Sequence, residues 1–250
     1  MTAPTYPLVS CALLACYFRF ALPLLDRLSH HWAKTLPFWQ DRSWVSRSDT
    51  MHLVVAVLGQ AILWLLLIPL AHNYQLDLRP SVAGLCFGTL LGVGEMAASA
   101  LVVNLTLSSL SQLLQDRAPS SMAGWVVYSR GGWMRYFTSV NRDSHWSLRL
   151  TLCLGYIGVE EWIYRATLVE IFRPLGGVVA IGLSVLGFLI AQIVWTPSWR
   201  TWIFPAIGAA IIGPIHGYLY WRQGDIFTLI VAHLSFFFAS TWQPAAAARE

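Results

Sequence analysis

Apolar residues in this chain come in long runs, not in the short periods of a soluble helix or strand. Runs of about eighteen or more apolar residues with few charges have the length of a bilayer-spanning helix. Seven stretches fit: 8–25, 52–71, 81–107, 148–172, 178–195, 202–221 and 225–242. Breakers separate them. Pro23 closes the first, Arg173-Pro174 and Gly176-Gly177 the fourth, Thr196-Pro197 the fifth, and Arg222-Gln223-Gly224 the sixth. Hydrocarbon leaves helices as the natural way to satisfy each backbone group internally. The pattern therefore predicts an all-α fold, a polytopic transmembrane helix bundle of about seven spans.

Between the runs, 26–51 reads as a polar loop with Arg27, Lys34, Arg42 and Arg47, anchored by Trp32, Trp39 and Trp44. The longest non-apolar stretch, 108–147, carries Arg117, Arg130, Arg135 and Arg142. Its part 124–136 mixes aromatics with arginines, as an interfacial segment does. With the N-terminus outside, these cations and Arg200 fall on inner loops, and outer loops hold only Arg79, Arg173 and Arg222. The positive-inside rule then orients the chain N-out/C-in.

Composition sharpens this picture. Of 250 residues 56% are hydrophobic and 11% charged, with a mean hydropathy of +0.57. Soluble domains carry about 25% charged residues, so the chain reads as an integral, multi-pass protein of a plasma or inner membrane. The net charge of +4 sits in loops and suits an anionic lipid face. No basic run interleaved with aromatics appears, which argues against a nucleic-acid partner. Cys11, Cys16, Cys86 and Cys153 all fall in apolar runs without CxxC spacing and read as buried small hydrophobes, not as metal ligands or disulfide partners. The first run lacks a basic flank and a cleavage site, so it is expected to stay as a span.

Charges inside the runs carry the candidate chemistry, because an ionisable group at bilayer depth is costly and marks a cavity or a bundle interior. Arg19 is expected to snorkel. Glu95 lies in a run whose Gly84, Gly88 and Gly92 form one small-residue face for close helix packing; it reads as a proton site or, preferred, as a structural partner of Arg19 or Arg165. The fourth run holds Gly158-Val159-Glu160-Glu161-Trp162-Ile163-Tyr164-Arg165. On a helix Glu161 and Arg165 are i, i+4 partners, while Glu160 points about 100° away and stays free for chemistry. The alternative is an ion pair that only staples helices, for which one acid would suffice. The His30-His31 pair reads as solvated.

The string Glu160-Glu161-x-x-x-Arg165 resembles the first motif of the CPBP family, the CAAX prenyl endopeptidase type II and bacteriocin-processing (ABI) intramembrane proteases. Phe188-Leu189-Ile190-Ala191-Gln192 stands where that family has FxxxH. The segment from Gly217 to Gly224 is similar to its G-[WY]-L-Y-x-R-x-G string, and His233 resembles the histidine of its HxxxN motif. The resemblance covers roughly residues 120–240. It implies three parts: N-terminal spans and a basic loop (1–119), a protease-like domain (120–243) and a tail (244–250). It also implies a mechanism, with Glu160 as general base, His233 positioning the water, and Glu161 with Arg165 as a structural pair. The family chemistry implies no metal and no other cofactor.

Two positions depart from the family. Gln192 replaces a histidine and cannot take up a proton, and Phe237 replaces an asparagine and cannot donate to an oxyanion. Losing one oxyanion donor costs on the order of a hundred- to a thousand-fold in rate. Counting about 1.5 Å per residue puts Glu160 and His233 at one depth, with His216 a few ångströms further out. His216 is therefore either a possible substitute for the missing imidazole or an ordinary histidine bonded to a neighbouring carbonyl. Three functions follow. The first is an intramembrane endopeptidase cutting prenylated or other membrane-associated peptides near the inner face. The second is an inactive relative that binds peptide or lipid as a scaffold. The third is a small proton-coupled transporter using Glu95, Glu160 and His233.

Overall fold

The computed structural model describes residues 5–35, 44–71, 78–114, 136–137, 140, 144–194 and 198–241. Among them are seven helices and short connections. Helix α1 runs Thr5–Thr35, α2 Trp44–Leu67 and α3 Val82–Leu114. Helix α4 begins as Trp146–Glu161, widens into a π-helical turn at Trp162–Thr167 and closes as Leu168–Phe172. Helices α5 (Gly177–Val194), α6 (Trp199–Gln223) and α7 (Ile226–Thr241) complete the bundle. Five helices are long and apolar enough to cross a membrane, and Ile226–Phe238 is a shorter apolar one. Leu8, Leu90, Leu101, Leu105, Leu113 and Val178 stand exposed on the outer surface. Such a surface is stable against lipid, so this is an integral membrane protein.

Three boundaries differ from the expectation. Pro23 does not end the first span, because α1 passes through a π-helical turn at Tyr17–Ala21 just before it. The wider turn relieves the clash a proline ring makes with the preceding turn, so the helix continues through Asp26 and Arg27 to Thr35. The expected loop 26–51 is thus largely helical, ending α1 and beginning α2. Helix α3 also runs seven residues beyond the expected limit at Leu107. The basic stretch 115–135 and the tail lie outside the described residues; of the interfacial segment only Tyr136 is described, stacked on His52 at 4.0 Å. Arg19 is exposed, against the ring of Phe20. Cys11, Cys16 and Cys86 are exposed and only Cys153 is buried, since in this setting apolar positions also face outward.

Packing places α1, α2, α5, α6 and α7 against α4. The glycine face of α3 lies directly on α7: a Cβ at Gly88 would come within 2.6 Å of the Thr228 carbonyl oxygen, and one at Gly92 within 2.1 Å of that of Ala232. Helices α5 and α6 pair in the opposite sense, with Gly177 against the Trp221 ring and Gly217 against Ile181. Gly224, at φ +67°, ends α6 in the left-handed conformation a glycine adopts freely, and Asp225 then accepts from the backbone N–H of Phe227 and Thr228 to start α7. This tight turn leads from α6 into α7, and the glycine contacts with α3 set the height of His233.

Candidate active site

Glu160 and Glu161 are the last two residues before the π-helical turn of α4, and both are buried. π-Bulges leave carbonyls without their usual partners and recur at functional sites. Here two hydroxyls serve the freed groups. Thr167 Oγ1 donates to the Trp162 carbonyl at 2.8 Å, and Ser184 Oγ, from α5, donates to the Tyr164 carbonyl. The widened turn is thereby pinned to α5, and the two glutamates diverge.

Glu161 faces the bundle interior. Its Oε2 lies 3.5 Å from Arg165 Nε and 3.1 Å from His216 Nδ1, and its Oε1 lies 2.7 Å from His233 Nδ1. His216 reaches onward with Nε2 to Glu95 of α3 at 3.3 Å. The groups bond one another in a line, Glu95–His216–Glu161–His233, across four helices, and do not converge on one point. Arg165 is fully buried, and its guanidinium also lies 4.3 Å from the centre of the Phe188 ring. The expected pair of Glu161 and Arg165 is present. The expected partners of Glu95 are not: Arg19 is on the outer surface, and His216 of α6 takes the place of Arg165. His216 is buried to 0% exposure, and its ring nitrogens meet the carboxylates of Glu161 and Glu95, not a backbone carbonyl.

Glu160 faces a different space. A cavity of about 400 Å³ opens between α3, α4, α5, α6 and α7. Glu160, Gln192 and His233 line it together with Tyr156 and Ser99, and most other walls are apolar, among them Met96, Ile157, Phe188, Phe204, Phe236 and Phe237. Gln192 Nε2 donates to Glu160 Oε1 at 3.3 Å. Among the described residues the Oε1 of Gln192 and the Oγ of Ser99 are buried without a hydrogen-bond partner, leaving polar atoms on the cavity wall for an occupant. Most lining residues of α3 lie in its C-terminal half, and most of those of α6 in its N-terminal half. The cavity thus occupies the half of the bundle nearer the end where α3 stops and α6 begins.

Phe237 is buried and packs edge-on against Phe137, ring centres 4.6 Å apart, within an apolar cluster that includes Tyr156. The structure thus brings Glu160, Gln192, His233 and Phe237 to one cavity and leaves Glu161, Arg165 and His216 behind its wall. Sequence reasoning missed the pairing of Glu95 with His216 and the cavity role of Ser99. A lone acid in an apolar run was the only signal for the first, and no signal existed for the second.

Residues 142–239 match the family model described as Rce1-like, type II CAAX prenyl endopeptidase Rce1-like. No curated protein and no solved structure matches the chain significantly. The matched stretch is similar to that CAAX-protease family and spans less than half of the chain. It contains α4 to α6 and most of α7, with Glu160, Glu161, Arg165, Gln192, His216 and His233, and it leaves Glu95 and the α3 wall of the cavity outside.

Proposed function

We propose that the chain is an intramembrane endopeptidase that hydrolyses a peptide bond of a prenylated or other membrane-associated peptide near the inner face of its membrane. The observation that carries this reading is the meeting of Glu160, Gln192 and His233, from three helices, on the wall of one apolar cavity. Glu160 is the base. It takes a proton from a water held beside His233 while the water oxygen bonds to the peptide carbonyl carbon, and that proton passes to the amine nitrogen as the C–N bond breaks. Low dielectric around the site strengthens each of these electrostatic contacts. Gln192 keeps one amide hydrogen on Glu160 and has a second to offer the oxyanion, which Phe237 cannot serve. Glu161 and Arg165 hold the wall in place. With the N-out/C-in orientation, the cavity lies in the inner half of the bundle, where a peptide anchored to the inner leaflet reaches it.

The test is cleavage of prenylated and unprenylated membrane-peptide libraries by the purified chain beside Glu160→Ala. Turnover by the wild type that vanishes in the variant supports the reading. A second reading, a non-catalytic relative that binds peptide or lipid in the same cavity, is favoured by Phe237, whose ring presents an apolar wall where the family has an asparagine. No turnover by the wild type, with activity gained in the Gln192→His and Phe237→Asn double variant, would select it.

A further inference from the structure

Glu95 and His216 belong to none of the motifs that suggested the family, yet both are buried and both face titratable partners at close range. Neither lines the cavity, so neither meets an occupant directly. Their contacts constrain what His233 presents there. An ionised carboxylate only accepts hydrogen bonds. The Nδ1 of His233, 2.7 Å from Glu161 Oε1, therefore carries a hydrogen and donates it. In a neutral imidazole that leaves Nε2 bare, an acceptor. His216 meets the other oxygen of Glu161 and is itself held from behind by Glu95, so Glu161 cannot swing away from His233 without breaking a contact to α6.

We propose that Glu95 and His216 are positioning residues that clamp Glu161 and so fix His233 in the tautomer with Nδ1–H, turning a bare Nε2 towards the cavity. The consequence for chemistry rests on the hydrolytic reading above. A water that gives one hydrogen to Glu160 and the other to His233 Nε2 has its lone pairs free for the substrate carbonyl. His233 then acts as an acceptor that aligns the water and not as a donor to the oxyanion. The tautomer itself is independent of turnover.

The experiment uses the full chain in nanodiscs with ¹⁵N-labelled histidine, the His233 signals being those lost in His233→Gln. In the wild type the hydrogen is expected on Nδ1 with Nε2 unprotonated. Glu95→Leu and His216→Leu are expected to turn this into a mixture of both tautomers. Glu95→Gln and His216→Gln keep an acceptor and a donor at those places and are expected to hold the wild-type state. A wild-type His233 with its hydrogen on Nε2 overturns the proposal, whatever the variants do. So does an unchanged tautomer in a folded Glu95→Leu or His216→Leu, and the wild-type measurement decides alone if those do not fold. Absence of peptide turnover with the Nδ1–H tautomer intact and sensitive to these variants would overturn the hydrolytic reading and support this one.

Discussion

Substituting Gly92 with alanine tests the contact on which the height of His233 depends. The new Cβ would lie 2.1 Å from the carbonyl oxygen of Ala232 and 2.9 Å from its carbonyl carbon and from Ser235 Cβ. These are backbone and near-backbone atoms of α7, so no flexible side chain can yield. Ordinary contact begins near 3.4 Å, and the two helices must separate by roughly 1 Å or more. Overpacking of this kind costs about 1–3 kcal/mol, partly offset by the better helix propensity of alanine, worth up to about 1 kcal/mol. A net loss of about 1–2 kcal/mol is expected. Gly94, two residues on, would place its Cβ in open space, so Gly94→Ala is expected to be neutral or stabilising by up to about 1 kcal/mol. Denaturant titration of the purified chain in micelles, followed by tryptophan fluorescence, measures both. Equal stabilities for the two variants would refute the direct packing of α3 on α7. Because Ala232 precedes His233, Gly92→Ala is also expected to lower any turnover more than Gly94→Ala does.

Two further outcomes follow from the buried polar groups. Arg165→Leu removes the fully buried cation beside Glu161 and is expected to destabilise the fold by about 3–5 kcal/mol, read from the same titration. A cost below about 1 kcal/mol would mean that the contacts of Glu161 with His216 and His233 suffice to hold the buried carboxylate. Ser184→Ala deprives the Tyr164 carbonyl of its donor and is expected to cost about 1–2 kcal/mol, while alanine at the exposed Thr89, whose hydroxyl bonds only within its own turn, is expected to change little.

The legible part of this fold was the part that depends on local spacing. The seven runs, the glycine face of α3 and the i, i+4 pair of Glu161 with Arg165 all follow from periodicity within one helix. The illegible part depends on which helices meet. Glu95 and His216 are 121 residues apart, and a single sequence gives no register between α3 and α6 from which to pair them. The partners of His216 were illegible for the same reason, because both its ring nitrogens bond acids on other helices, Glu161 and Glu95. The π-helical turn in α1 reversed the usual meaning of Pro23. The three outward cysteines show that an apolar run in a membrane protein marks hydrocarbon, not burial. The motif order did bring Glu160, Gln192, His233 and Phe237 to one cavity, and it could not have revealed that His233 bonds to Glu161.

The central claim is that the carboxylate of Glu160 activates the attacking water. Once a peptide substrate is found, Glu160→Gln isolates that charge, because the amide keeps the size and most hydrogen bonds of the side chain. Steady-state cleavage by this variant in nanodiscs is expected to show a kcat lowered about a hundred- to ten-thousand-fold, as loss of a general base requires, with KM little changed. A Glu160→Gln variant that cleaves at the wild-type rate would contradict the account.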